Sequence, residues 1–394
     1  MRRLTAGNGI LGQHADMRLA SSHSVLSAGH RPPLGPADST AVVDAGREFT
    51  PRPLQVTWEV TQSCTPGKHR RRAHPTREKQ ELSTAEAFHL IDQVAALRVP
   101  LLVLTGGDPL LRPDLLPIVQ YACRHSVRTS LTLLSTPQLT REAIFELKEA
   151  GLMRAGLWLD GSAAAMHDRF RGPGSYRRTL EAAGWCHEAG LPLQINTTVT
   201  RRNLGDLASM IELLVRLDVA LWNVFLFPPA AEPAANFLAA EDHEEIFAKL
   251  YAASKRVHFQ IKTTEGPHYQ RYVLQRRACE SGTRPTEADV LNYRPTGVND
   301  GKSLVFVNHL GEVFPSRFLP LSGGNITRSP LRDIYGQSPL FLSLRDSSKL
   351  KGKCGKCEFR NVCGGSRARA YALTGDLLAE DPSCAYRPAS AAEM

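Results

Sequence analysis

The sequence has no long hydrophobic run, and this lack excludes one class of protein. No apolar stretch in the 394 residues approaches the roughly 20 residues needed to cross a bilayer, so we expect no membrane span and no membrane partner. Residues 1–3 are basic, but no apolar segment follows them before Asp16, which argues against a secretory signal. We therefore expect a cytoplasmic protein.

Acidic residues are scarcer than basic ones, 39 against 48, which gives a formal net charge of +9. Much of the excess positive charge lies in residues 68–79, KHRRRAHPTREK, which contain six basic residues and one acidic residue. No aromatic residues are interleaved with these charges, and no known recognition motif accompanies them, so we expect no nucleic-acid partner. The charge is a property of one loop, which could still bind carboxylates or phosphates.

Cysteine is sparse as well, with eight residues, four of them in the last 41 positions. A chain of this size without a secretory signal does not need disulfides, so clustered thiols are first interpreted as metal ligands. The spacing is Cys354-x2-Cys357-x5-Cys363-x20-Cys384. Four thiolates suit tetrahedral zinc or a 4Fe–4S cluster, and the spacing alone does not choose between them.

Hydrophobic runs and helical patterns alternate from residue 54 to residue 227, which predicts six βα-type repeats. Parallel strands with intervening helices are expected, in an α/β fold that is either an open doubly wound sheet or a barrel. The predicted strands are residues 54–61, 101–105, 129–134, 155–160, 193–200 and 220–227, and the predicted helices are residues 83–97, 113–123, 140–150, 176–189 and 204–217.

The pattern changes on both sides of this repeat. Residues 1–53 have no sustained period and are predicted to be a flexible leader. Beyond the repeat, which we assign to residues 54–233, residues 234–302 are predicted to be a connector with one helix at 241–256 and an irregular stretch. Residues 303–315 predict a hairpin with its turn at 309–311. Residues 303–388 form the predicted metal module, with a helix at 368–373, and residues 389–394 form a tail.

Polar residues follow several predicted strands, where ligands bind in parallel α/β folds. Gly106, Gly107, Asp108 and Pro109 follow the second strand. The glycines permit a sharp turn that brings backbone N–H groups close to a ligand, and Asp108 could accept a hydrogen bond from an ammonium group. Ser135, Asp160 and Asn196 occupy other strand ends, which is consistent with one shared pocket and also with ordinary solvated loops.

With these motifs placed, the chain resembles the radical S-adenosylmethionine (SAM) superfamily, in the subfamily with a C-terminal auxiliary iron–sulfur module of the SPASM or twitch type. It is similar to the members that act in haem biosynthesis. The resemblance covers about residues 54–388 and rests on WEVTQSC at 58–64, TGGDPLLRPD at 105–114, LDGSAAAMHDRFRG at 159–172, GLPLQINTTVTRRN at 190–203 and the cysteine-rich segment at 357–388.

The resemblance implies a partial (β/α)6 barrel of the TIM type with a small C-terminal iron–sulfur module. A 4Fe–4S cluster would follow the first strand, and SAM would lie across the strand ends. The stretch from Gly106 to Pro109 matches the one that holds the amino group of SAM, with Asp108 where the family usually has Glu. Asp160, Asn196 and residues 224–226 match positions that line the pocket for SAM or substrate.

The tail cysteines Cys354, Cys357, Cys363 and Cys384 match the ligands of the auxiliary 4Fe–4S cluster. Ser316 stands where some members with a second auxiliary cluster have cysteine, so one auxiliary cluster is expected.

The sequence departs from the family at its signature, CxxxCxxC, whose three thiolates hold three irons and leave the fourth open to SAM. Only Cys64 is kept, and Lys68 and Arg71, or Gly67 and Arg70 in a shifted alignment, take the other two places. A guanidinium has no lone pair to offer to iron. The excess charge of residues 68–79 is therefore interpreted as the mark of a replaced metal site, and this second 4Fe–4S cluster is doubtful.

Three hypotheses follow from this departure. The chain is an active enzyme on a tetrapyrrole or peptide, with His69 and His74 joining Cys64 or with Cys123 or Cys186 as ligands. Alternatively, it is a non-catalytic iron–sulfur relative or partner subunit that binds SAM or a tetrapyrrole. The third hypothesis is a decayed or misread copy of a once-active enzyme. An active enzyme would need a reducing electron donor, and the sequence does not choose its small-molecule or peptide substrate.

Overall fold

The protein is built around a sheet in which eight neighbouring strands run parallel. The computed structural model describes residues 52–64, 81–228, 236–286 and 299–388. The strand order is β10-β9-β8-β1-β2-β3-β4-β5-β6-β7, parallel from β8 to β7. The strands are β1 (Gln55–Glu59), β2 (Leu101–Thr105), β3 (Thr129–Leu133), β4 (Arg154–Trp158), β5 (Leu193–Thr198), β6 (Leu221–Phe225), β7 (Gln260–Thr264), β8 (Leu304–Val307), β9 (Glu312–Phe314) and β10 (Gly324–Asn325).

Helices connect the parallel strands and bury one apolar stripe each. In the first of them the hydroxyl of Ser83 accepts from the backbone N–H of Glu86, whose carboxylate accepts in return from the N–H of Ser83. This capping box fixes where the helix begins. The helices are α1 (Thr84–Ala96), α2 (Leu115–Arg124), α3 (Arg141–Glu149), α4 (Ala164–Arg171), α5 (Ser175–Glu188), α6 (Leu207–Arg216), α7 (Ala240–Ser254), α8 (His268–Glu280), α9 (Leu331–Gln337), α10 (Pro339–Arg345), α11 (Gly352–Lys356) and α12 (Arg367–Thr374).

The six predicted βα units are confirmed as β1–β6 with their helices, and the α/β partial barrel is the observed architecture. The stretch after the helix of residues 241–256 was predicted to be irregular, and this prediction is wrong for residues 260–264. They form a seventh parallel strand beside β6. Its sequence, QIKTT, is short and four of its five residues are polar, so it lacks the apolar run by which a buried parallel strand is recognised. The strand ending at residue 227 is therefore not the last of the barrel.

The predicted hairpin at 303–315 is confirmed as the antiparallel pair of β8 and β9, with Phe306 opposite Phe314. Strand β8 also runs parallel to β1, with Leu304 opposite Gln55, so the proposed metal module begins inside the sheet of the barrel. The helix predicted at 368–373 is observed as α12.

Some expectations concern residues outside the described ranges. They include the leader up to residue 51, the basic loop at 68–79 and the tail at 389–394. Among the residues that the structure describes, no helix combines the length and the apolar character needed to cross a membrane.

Candidate ligand cavity and cysteine sites

One large cavity of about 1560 Å³ lies against the inner face of the parallel strands. Alternate residues of each strand line it, because successive side chains of a strand point to opposite faces. Many of these inward positions are polar, such as Gln55, Thr57 and Glu59 on β1. A cavity of this volume exceeds the 300–1,000 Å³ typical of a single small-ligand pocket, so it has room for more than one bound molecule.

The glycine turn after β2 packs directly against the backbone that leads to Cys64. The N–H of Gly107 donates to the carbonyl of Thr61 and the N–H of Asp108 donates to the carbonyl of Ser63, both at 2.7 Å. A Cβ on Gly107 would lie 2.2 Å from the carbonyl oxygen of Ser63 and 2.7 Å from Sγ of Cys64. Glycine is needed here because two backbone segments cross in contact.

For Gly107 and Asp108, this arrangement differs from the expectation that the amides of the turn face a ligand. Gly106 and Gly107 do line the cavity, but the N–H groups of Gly107 and Asp108 are used to hold the residues before Cys64. The glycine turn therefore acts in this structure as a clamp on the cysteine segment.

Asp108 is fully buried and does not line the cavity. Its carboxylate accepts from the hydroxyl of Thr136 at 2.6 Å and from the N–H of Leu110 at 3.2 Å. Burial raises its pKa, against these two hydrogen bonds. Pro109 begins the short 3-10 turn that follows and is also buried. In this structure Asp108 faces Thr136 and Leu110 and not the cavity, and its contact with an ammonium group stays a prediction.

Of the other predicted pocket residues, one lines the cavity and two do not. Asn196 lines the cavity, and its side-chain carbonyl accepts from Gln194 at 2.7 Å. Asp160 is fully buried and joins the ends of two strands, because it accepts from the N–H of Thr198 at 2.6 Å and from Nε of Arg171 at 2.5 Å. Ser135 lies outside the cavity wall.

A cluster around Glu59 was not predicted from the sequence. Nδ1 of His309 lies 3.0 Å from one carboxylate oxygen of Glu59, and Arg317 lies 3.2 Å from the other. Burial opposes the ionisation of Glu59, but the hydrogen bond from His309 and the charge of Arg317 outweigh it and lower the pKa of Glu59. The cluster joins β1 to the β8–β9 hairpin at the cavity wall. The alternation of polar Gln55, Thr57 and Glu59 along this strand could have indicated a polar inner face.

Cys64 is the only cysteine among the described residues that line the cavity. Burial raises the pKa of its thiol, and the charge of Asp108 adds to the effect. The sequence from 65 to 80 holds two histidines and no cysteine. The donor set at this end of the barrel therefore does not fit a 4Fe–4S cluster held by three thiolates.

The cysteines considered as substitute ligands lie elsewhere. Cys123 is exposed on α2, and a Cβ on Gly151 would meet its sulfur at 2.4 Å, which places it where α3 leads into β4. Cys186 is buried in the hydrophobic core, and burial raises its pKa to about 12. Neither residue lines the cavity.

The four tail cysteines share one environment. Burial raises the pKa of each thiol, and the charges of Cys354 and Cys384 contribute to the shift at Cys363 and at Cys357. Two of the sulfurs accept backbone hydrogen bonds at 3.4 Å, Cys363 from Gly365 and Cys354 from Asp381. Hydrogen bonds of this kind to sulfur tune metal-bound thiolates.

These four residues fit a four-thiolate group by their chemistry, and the charges of Cys354 and Cys384 act on both Cys357 and Cys363. They are not drawn together as a closed cage, because no three His, Cys, Asp or Glu side chains of the described ranges are arranged to hold a metal ion. Ser316, at the position of a second auxiliary site, is buried, and its hydroxyl donates to Glu265 at 2.8 Å.

Comparison with known proteins identifies the class. Residues 64–214 match the radical SAM superfamily. The chain is 38% identical over 344 residues to the AdoMet-dependent heme synthase of Methanosarcina barkeri, covering 86% of this chain and 98% of that protein. It is 36% identical to the AdoMet-dependent heme synthase of Nitratidesulfovibrio vulgaris, over 84% of this chain and 92% of that protein.

The chain therefore belongs to the radical SAM superfamily, among relatives of the haem-biosynthesis type. This confirms the resemblance stated from the sequence. Membership implies a 4Fe–4S cluster and SAM as the cofactors of the family. The PqqA peptide cyclase of Rhizobium meliloti is also similar, with 32% identity over 79% of this chain and 81% of that protein.

Solved structures confirm the fold. Streptococcus suis SuiB bound to S-adenosylmethionine superposes with a TM-score of 0.66 at 14% identity, over 85% of this chain and 76% of that chain. The structure of anSMEcpe with bound AdoMet gives a TM-score of 0.60 at 13% identity, over 84% and 93% of the two chains. At these identities the likeness shows the fold alone.

Proposed function

We propose that this chain is a haem-synthase-type radical SAM protein that has kept its ligand cavity and one auxiliary cluster but does not start radical chemistry. The observation that carries the proposal is the single cysteine, Cys64, at the wall of the cavity. The segment that follows contains Lys68, His69 and Arg70 but no thiol. One thiolate cannot hold three irons, so no reaction step is assigned to a cluster at this position.

The auxiliary cluster is assigned to Cys354, Cys357, Cys363 and Cys384. The support is the set of four thiols within electrostatic range of one another, with backbone N–H groups aimed at two of the sulfurs. When bound, a 4Fe–4S cluster supplies a one-electron redox centre and stabilises the segment that holds it. The residues of the chain provide the thiolates and the N–H donors that tune them.

A tetrapyrrole is the substrate class that the cavity supports best. Aromatic side chains follow one another along its wall: the rings of Trp158 and Phe225 lie 4.9 Å apart, those of Phe225 and Phe227 lie 5.4 Å apart, and Phe318 stands 4.7 Å from Phe227. Such a surface suits a large planar ring. The relatives named AdoMet-dependent heme synthase agree with this choice, whereas PqqA peptide cyclase represents the peptide alternative.

Iron content tests the cluster assignment. Anaerobic reconstitution of the full chain is expected to yield about four irons per chain, against about eight for two clusters. Cys357→Ser is expected to remove most of this iron. Cys64→Ser and Cys123→Ser, which change thiols outside the tail, are the matched controls and should retain it. Near eight irons, with half lost in Cys64→Ser, would overturn the proposal, and one zinc without iron would overturn the auxiliary-cluster assignment.

SAM turnover tests the loss of radical chemistry. The reconstituted protein, supplied with SAM and dithionite, is expected to form no 5′-deoxyadenosine above a protein-free control. Production of 5′-deoxyadenosine that depends on Cys64 would show an active enzyme with unusual ligands. Replacing Lys68 and Arg71 by cysteine restores the CxxxCxxC spacing, and this double variant is expected to bind additional iron. Binding of coproporphyrin III but not of a peptide would support the substrate class.

A further inference from the structure

The innermost part of the cavity, at the N-terminal ends of the strands, holds two basic side chains. Arg154 is the first residue of β4, and Lys262 lies on β7. Both line the cavity together with Gln55 and Gln194, and we call these four residues the barrel floor. Cys64 and the glycine turn lie at the opposite, C-terminal end of the strands.

Neither cation of the barrel floor has a carboxylate partner. Within the described ranges, no ion pair involves Arg154 or Lys262, and the buried Nε of Arg154 has no hydrogen-bond partner. The ammonium of Lys262 donates to the side-chain carbonyl of Gln55 at 2.9 Å, which is a neutral acceptor. Two other cations at the cavity are paired with carboxylates: Arg171 lies 2.5 Å from Asp160, and Arg317 lies 3.2 Å from Glu59.

The electrostatics of the barrel floor are therefore unfavourable in the free protein. Burial lowers the pKa of Lys262 to about 8, and the charge of Arg154 contributes. Burial also lowers the pKa of Arg154 to about 10, with a contribution from Arg128. A protein interior tolerates uncompensated cations poorly, and perturbed groups facing a cavity are characteristic of binding sites.

The cavity gives a ligand access to this floor. One continuous cavity is lined by Gly106 at the ends of the strands and by Lys262 at the floor. On β4, the position between Arg154 and Trp158 is Gly156, where even a Cβ would lie 3.3 Å from the amide nitrogen of Asn196. The glycine keeps the middle of the barrel open, so a side group of a ligand held among the aromatic rings can reach inward.

We infer that the barrel floor is a specificity site that binds a carboxylate group of the substrate. Arg154 acts as a bidentate hydrogen-bond donor to the carboxylate, and Lys262 provides a second positive charge. The guanidinium of Arg154 matches the geometry of a carboxylate, and the ammonium of Lys262 provides a compact charge beside it. Gln55 orients the ammonium. The inference rests on the proposed use of this cavity for substrate, and it selects acid-bearing molecules over their neutral analogues.

Binding of coproporphyrin III, a tetrapyrrole with four propionate groups, tests the inference on the full chain. We expect Arg154→Gln and Lys262→Met each to weaken binding by about 10-fold to 100-fold, the range for hydrogen bonds to charged groups. The matched control is Arg202→Gln, which removes an exposed cation from the same cavity. The tetramethyl ester of coproporphyrin III should bind the parent protein and both floor variants alike, because it carries no charge.

A second measurement does not depend on the tetrapyrrole. Tricarballylate, a small tricarboxylate, is expected to raise the melting temperature of the parent protein and of Arg202→Gln above that seen with chloride at equal ionic strength. The two floor variants should show no such rise. The variants remain interpretable if they fold, which far-UV circular dichroism and their own melting curves establish.

The outcomes separate the two proposals. If coproporphyrin III binds the floor variants as tightly as the parent protein, the floor inference is wrong while the tetrapyrrole assignment stands. If no porphyrin binds but tricarballylate stabilises only proteins with an intact floor, the carboxylate site stands and the tetrapyrrole assignment fails. If neither carboxylate probe distinguishes the parent protein from the floor variants, the inference is overturned.

Discussion

The guanidinium of Arg369 on α12 donates to the carboxylate of Asp381 at 2.8 Å, and both side chains are almost completely buried. The same guanidinium donates to the backbone carbonyls of Leu226 and Glu265, at 2.9 and 2.8 Å. Since the N–H of Asp381 donates to the sulfur of Cys354, this ion pair connects the cysteine segment to the C-terminal ends of β6 and β7. Arg369 therefore helps to fix the position of the cysteine segment relative to the cavity, together with the hydrogen bond from Ser366 to Glu265.

Replacing Arg369 tests this connection. Arg369→Met leaves Asp381 buried without its cation and is expected to lower the free energy of unfolding by about 3–5 kcal/mol, measured by urea denaturation. The control is Arg332→Met, because Arg332 pairs with Asp333 at 3.7 Å on the surface and should contribute less than about 1 kcal/mol. Equal effects of the two substitutions would show that Arg369 does not connect the two parts.

Gly107→Ala tests the clamp on the cysteine segment. The added Cβ would lie 2.2 Å from the carbonyl oxygen of Ser63 and 2.6 Å from that of Gln62, and both are backbone atoms. We expect a loss of about 1–3 kcal/mol from the resulting overpacking, measured by chemical denaturation. Gly184→Ala on α5 is the control, since its Cβ meets nothing within 4 Å and should stabilise the helix by about 0.5–1 kcal/mol. A neutral Gly107→Ala would contradict the close crossing.

Glu59→Gln tests the ion cluster at the cavity wall through its pH dependence. Because the folded protein lowers the pKa of Glu59, the unfolded chain binds more protons near that pKa. The stabilisation by ionised Glu59 is therefore present above the ordinary value of 4.5 and is lost as the pH falls through the lower, folded value. We expect Glu59→Gln to be less stable than the parent protein at pH 7 and the difference to shrink below pH 4.5. A pH-independent difference would count against this mechanism.

Lys262→Met tests the electrostatic cost of the barrel floor. The pKa of Lys262 is lowered to about 8 from 10.5, so removing its charge should stabilise the free protein, by roughly 1–2 kcal/mol after allowance for water in the cavity. The folded protein releases its proton before the unfolded chain does, and stability should therefore rise with pH from about 8 to 10.5. Lys262→Met should lack this rise, which parallel urea titrations at pH 7.5 and 10 measure.

The sequence and the structure agree where local patterns carry the information. The strands β1–β6 were predicted because each is a short apolar or β-branched run bounded by turn residues. Strand β7 was missed because Lys262 and Thr264 line the polar cavity. Lys262 therefore stands where a buried strand is expected to have an apolar residue. A strand that faces a polar cavity does not have the period of one that faces a core.

The structure divides the predicted site residues into two groups, and their roles as ligands stay predictions. Gly106, Gly107, Asn196 and Cys64 do line the cavity, whereas Asp108, Pro109, Ser135 and Asp160 do not. The residues that line the cavity and those that support it have the same polar character and the same position at strand ends. Only the packing of neighbouring elements determines which of them reach the cavity. The carboxylate of Asp160, for example, accepts hydrogen bonds from Arg171 and Thr198.

The sequence by itself determined the parallel α/β architecture, the four-cysteine tail and the loss of all but one cysteine from the family signature, because each is a matter of residue type and spacing. The tertiary structure decided how those parts are used. It turned the glycine turn into a clamp and joined Glu59 to His309 across 250 positions. It also placed Arg154 and Lys262, which form no ion pair with any residue that the structure describes, at the bottom of the barrel. Contacts between residues so far apart depend on strand register and sheet curvature, which local sequence does not encode.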